Sequence, residues 1–192
     1  VSPDYTTTHE DEWVASMLTT STAPGNYPGD AVASDNWPGF AAGSVGVLNT
    51  MAPKCHNVAG IVDLAEKPPI LWIRGTADAI VSDASFFDIN YLGQVGVIPG
   101  WPGEEIAPAQ QMITQTRDVL DAYAAAGGSV TAVALDGAGH SAHLERPAEF
   151  NAALREVTGL SDSGFGDGAA EASTPRHDPA PPTEAFIIRS SD

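Results

Sequence analysis

Two short apolar runs with a helical face between them set the terms for what this chain can fold into. Ile70-Leu71-Trp72-Ile73 follows Pro68-Pro69 and is apolar at consecutive positions. That pattern suits a strand buried on both faces of a parallel sheet. Val130 to Leu135, rich in valine, is a second strand of the same kind. Between them Met112, Ile113, Thr116, Val119, Leu120 and Tyr123 recur at helical spacing, and Gly127-Gly128 ends the helix where a positive φ is needed. Strand, helix, strand predicts an α/β fold with a right-handed parallel crossover. Two such strands cannot make a whole sheet, because each would leave an apolar edge open. Further strands are therefore expected upstream of Val1.

The flanking segments differ in character, and the expected boundaries are 1–66, 67–159 and 160–192. In 1–66, Thr7 and Glu10 have capping-box spacing ahead of Trp13, Val14, Met17 and Leu18, which predicts a short amphipathic helix. Pro24-Gly25, Pro28-Gly29 and Pro38-Gly39 then break the chain three times in quick succession. This stretch is expected to be a helical lid or cap rather than a domain with its own core. Within 67–159, a long glycine- and proline-rich loop is expected between Asp83 and Pro108, where it could line a pocket. Pro147 suits the first turn of a last helix with Phe150, Leu154 and Val157 facing inward, ended by Gly159. The remainder, 160–192, is rich in Gly, Ser, Ala, Pro and Asp and is expected to be a disordered tail.

Charge narrows the function classes. A formal charge of −17 argues against nucleic acid and against an anionic membrane surface, both of which select basic patches. The one cysteine, Cys55, cannot form an internal disulfide, which fits a cytoplasmic protein. No apolar run is long enough for a membrane-spanning helix, and the first residues lack the basic-then-apolar pattern of a secretory signal. The expected partner is a small molecule.

Chemistry concentrates at the two strand ends. The first runs into Arg74-Gly75-Thr76-Ala77-Asp78-Ala79-Ile80-Val81. The second runs into Asp136-Gly137-Ala138-Gly139-His140, then Ser141-Ala142-His143-Leu144-Glu145-Arg146-Pro147. In open parallel sheets, ligand-facing residues sit just past the carboxyl ends of the strands. An acid past one strand and a histidine past its neighbour can meet there, and a carboxylate so placed fixes the imidazole tautomer. Asp83 is the rival acid, although a helix N-cap also accounts for it. His143 is a candidate packing neighbour, and Asp136 closes its strand. His140, His143 and Glu145 lie close in sequence, with Cys55 and His56 elsewhere, but their spacing lacks the helical H-E-x-x-H frame of a metal site.

These paired motifs, strand–G-x-x-D–I-V and, about sixty residues later, strand–G-x-G-H–x-x-H-x-E-x-P–helix, resemble the end of an α/β-hydrolase. The resemblance covers roughly residues 66 to 158. It implies the C-terminal portion of that fold, with 1–66 where many members carry a helical cap. It implies that Asp78 is the triad acid and His140 the triad base, in a chain order of nucleophile, acid, histidine. It also implies a hydrolase acting on a small, mostly apolar substrate, with an ester, amide, epoxide or carbon–halogen bond open and no cofactor. The nucleophile elbow is missing. Its nearest imitation, Ala42-Gly43-Ser44-Val45-Gly46, has no buried strand before it and too few residues between Ser44 and Asp78. The nucleophile, Ser or Asp, is therefore expected upstream. The alternative is a truncated, non-catalytic piece that serves as a binding or interaction module.

Overall fold

The computed structural model describes residues 1–160, apart from 22, 24, 53 and 56, together with the strand at 186–189. The architecture is mixed α/β, built on strands β3 (Ile70–Gly75) and β4 (Val130–Leu135). They pair in parallel, with Ile70 opposite Val130 and Gly75 opposite Leu135. Strand β5 (Phe186–Arg189) adds to the far edge of β4 in antiparallel sense, giving the order β3-β4-β5. The tail expected over 160–192 otherwise lies outside the described residues.

The chain divides into two units. The first comprises residues 1–3, 66–78 and 123–192; the second comprises 4–65 and 79–122. In the first unit, α5 (Pro147–Thr158) lies against β3 and β4. Val133, Leu135, Ala138, Ala142 and Ala153 form its buried core, with Leu71, Ile73 and Phe150 packed around them. Alternate residues of a strand face opposite sides, so Leu71 and Ile73 meet this core while Trp72 and Arg74 share the other face. There the Arg74 guanidinium stacks over the Trp72 ring, 5.6 Å from its centroid. Helix α5 opens on Pro147, whose missing N–H needs no partner in a first turn, and closes on Gly159 in the left-handed conformation (φ 68°).

Helix α3 (Met112–Ala125) ends at Gly127, whose φ is +89°. Its last turn carries Tyr123, fully buried, with its hydroxyl donating to the Pro68 carbonyl at 2.5 Å. The ring lies so close to Gly128 that a Cβ there would sit 2.1 Å from Cε1. The second glycine of the pair thus serves packing, and the first serves the turn.

The second unit contains both helix and strand. It holds α1 (Glu10–Leu18), but the next element is an antiparallel ribbon, β1 (Ala31–Ala33) with β2 (Phe40–Ala42), followed by two short 3₁₀ turns. Asp30 organises the ribbon's base. Its Oδ1 accepts from the Val45 N–H at 2.7 Å and the Asn49 side chain at 3.0 Å, and the backbone bonds from Val45 and then Ser44, with a smaller share from Asn49, hold its carboxyl below the usual range. The capping box expected at Thr7 and Glu10 does not form. Helix α1 begins at Glu10 with His9 at its N-cap, two residues past Thr7, while the Thr7 hydroxyl accepts from the His9 N–H. None of its residues is buried, and Met17 and Leu18 are exposed.

The loop expected between Asp83 and Pro108 contains a further helix, α2 (Ile89–Gln94). Asp88 caps it, accepting from the Asn90 N–H at 2.9 Å, and with its second oxygen takes the Gln110 N–H at 2.5 Å. Trp37 and Trp101 close on Gly93 in this helix, leaving no room for a side chain there. The period of α2 is masked in sequence by its glycine and by the turn residues on both sides.

Candidate active site

The parallel register delivers the two strand-end turns to the same rim of the sheet. Gly75 and Leu135 are paired, so the next residues, Thr76 and Asp136, leave the strands together. The Thr76 hydroxyl donates to Asp136 Oδ1 at 3.1 Å and accepts from the Gly137 N–H at 2.8 Å. The Thr76 N–H reaches the Leu135 carbonyl at 3.0 Å, and the Ala77 N–H reaches the Ala138 carbonyl at 2.9 Å. These bonds stitch one turn to the other immediately before Asp78 and His140.

The close approach has a steric condition. A Cβ on Gly75 would meet the Ala138 carbonyl oxygen at 2.1 Å and that of Gly139 at 2.4 Å. Only glycine lets the end of β3 lie against the histidine's turn.

At the end of this stitching, His140 Nδ1 lies 3.0 Å from Asp78 Oδ2. The acid's side chain is 9% exposed and the imidazole 49% exposed. An ionised Asp78 can only accept, so the bond places a hydrogen on Nδ1 and leaves the Nε2 lone pair free in the neutral ring. Among the described residues, no hydroxyl or thiol is hydrogen-bonded to His140.

The other sequence candidates fall elsewhere. The His143 ring packs edge-on against Phe150, 5.9 Å between centroids. Asp83 does cap a helix, but a distant one: it accepts from the Ile113 and Thr114 N–H groups at 2.8 and 3.0 Å and from the Thr114 hydroxyl at 2.7 Å, at the start of α3. Desolvation raises its carboxyl, but the Thr114 and Ile113 bonds and the charge of Arg117 outweigh it and hold it below the usual range. Ser44 is exposed in the loop after β2, preceded by an antiparallel strand. His56 lies outside the described residues, and among those described no group of three or more His, Cys, Asp or Glu is arranged to hold a metal.

Sequence reasoning missed Thr76 and Gly75 as builders of the site, and gave Glu145 no structural role. Thr76 and Asp136 stand at the same offset past two paired strands, which is the signal that could have linked them. Glu145 closes the short helix α4 (Ala142–Glu145) with its side chain fully buried. Its Oε2 accepts from the Ser2 N–H at 2.8 Å and the Gly139 N–H at 3.0 Å, and its Oε1 has no hydrogen-bond partner among the described residues. Burial raises its carboxyl, but these two backbone bonds prevail and hold it below the usual range.

No helix among the described residues is long and apolar enough to cross a membrane. Comparison with known proteins found no matching family model, no similar curated protein and no similar solved structure.

Proposed function

We propose that this chain supplies the acid and the base of an α/β-type hydrolase whose nucleophile comes from residues upstream. The observation that carries the reading is the 3.0 Å contact between Asp78 and His140 at the ends of adjacent parallel strands, acid covered and imidazole open. Asp78 holds the ring with its hydrogen on Nδ1. Nε2 then takes a proton from an attacking hydroxyl or water and later returns it to the leaving group. The imidazolium formed midway is stabilised by the same carboxylate. The covalent step falls to an upstream Ser, or to an Asp that a water activated by His140 then releases. The resemblance in the motifs around Asp78 and His140 supports a small, mostly apolar substrate. With the upstream segment present, His140→Ala should lower kcat by about 10³-fold or more while leaving the thermal midpoint close to that of the parent. Turnover within a few-fold of the parent would refute the assignment.

A further inference from the structure

The group the proposed chemistry does not use is the buried carboxylate of Glu145. Its side chain has no exposure to solvent, and burying an ionised carboxylate costs several kcal/mol unless polar groups compensate. Its compensation comes from two backbone partners, with the Val1 ammonium 3.9 Å from Oε1. One is the N–H of Gly139, the residue bonded directly to His140.

His140 itself needs such support. Its ring is half exposed and its one hydrogen-bond partner among the described residues is Asp78. The direction of the imidazole therefore depends on the backbone of its own turn. That turn is gripped from two sides: the Ala138 carbonyl takes the Ala77 N–H from the end of β3, and the Gly139 N–H is taken by Glu145 from the end of α4. A Cβ on Gly139 would meet the Ser2 nitrogen at 2.6 Å and the Val1 carbonyl carbon at 2.8 Å, with Glu145 Oε1 next at 3.0 Å, so the turn lies against both the first residues and the carboxylate. We infer that Glu145 is a positioning residue, which holds the His140 turn through the Gly139 N–H so that Nδ1 stays on Asp78. The inference rests on the acid–base reading above.

The test is the tautomer of His140 in the full 192-residue chain, read from long-range ¹H–¹⁵N spectra of ¹⁵N-histidine protein and assigned with His140→Gln. The parent should show neutral His140 with its hydrogen on Nδ1. Glu145→Gln keeps an oxygen in place of Oε2 and should keep that tautomer. Glu145→Asp, too short to reach, and Glu145→Ala, which removes the acceptor, should move the tautomer ratio about tenfold toward Nε2–H, the scale of one hydrogen bond. Far-UV circular dichroism identifies the variants that remain folded, and the Asp and Gln pair decides the matter if the Ala variant unfolds. A folded Asp or Ala variant with the parent's ratio would overturn the inference while leaving the acid–base reading intact. So would a Gln variant that loses the tautomer as fully as the Asp variant. A parent that lacks the Nδ1–H form overturns the acid–base reading, and the inference falls with it.

Discussion

Gly75→Ala puts the smallest possible wedge between the two turns that carry Asp78 and His140. The added Cβ would lie 2.1 Å from the Ala138 carbonyl oxygen, where ordinary contact begins near 3.4 Å, so the histidine's turn has to retreat by about 1 Å. The three nearest atoms, the Ala138 and Gly139 carbonyl oxygens and the Ala138 carbonyl carbon, are all backbone, which no rotamer change can move aside. Forced overpacking of this kind costs about 1–3 kcal/mol. The retreat also stretches the Ala77–Ala138 bond, at 2.9 Å, and the Gly137–Thr76 bond, at 2.8 Å, beyond useful length. Each is worth about 1 kcal/mol net. The expected loss is therefore about 3–5 kcal/mol in total, a large share of the stability of an ordinary domain. Urea denaturation of parent and variant, with the slope checked for equality, measures it. The same displacement should pull Nδ1 off Asp78, visible as a shift of His140 toward the Nε2–H tautomer. A loss under about 1 kcal/mol with the tautomer unchanged would show that the turns are not in the contact described, and the argument for a shared rim would fail.

Two further outcomes bear on the scaffold and on its carboxylates. Tyr123→Phe removes the hydroxyl that satisfies the Pro68 carbonyl within a fully buried ring environment; a loss of about 1–3 kcal/mol is expected by denaturation, and no loss would mean that water replaces the hydroxyl. Acid should destabilise the fold in a specific direction. Glu145 and Asp83 are held below their ordinary values of 4.5 and 3.8 when folded, so the unfolded chain binds protons more readily than the folded one. Their contribution is complete above those ordinary values and is lost as pH falls through the depressed folded ones. Thermal midpoints followed downward from about pH 5 should decline, and decline less steeply in Glu145→Gln; a parallel decline in both would remove Glu145 from the account.

The elements that were legible in sequence are those whose signal is local. Strand β4 occupies Val130–Leu135 as its valine-rich run predicts, and α5 begins on Pro147 and stops at Gly159 because proline and glycine act through their own φ. The positions of Asp78 and His140 just past two strand ends were readable for the same reason. The helix inside the 83–108 segment was not, because a six-residue helix carries less than two turns of periodic pattern. The ribbon of the second unit was hidden too, since its organising group, Asp30, acts on Val45 and Asn49 many residues away.

Composition and order along the chain determined that this is an α/β structure with an acid and a histidine following two strands. Only the tertiary structure decided that the strands pair with Gly75 opposite Leu135, that Thr76 and Asp136 lock their turns together, and that Glu145 is buried behind Gly139. Strand and turn formation depend on neighbours in sequence, whereas the 3.0 Å between Nδ1 and Oδ2 is a difference between two backbone positions sixty-two residues apart. One step of register would move every side chain to the other face and dissolve it.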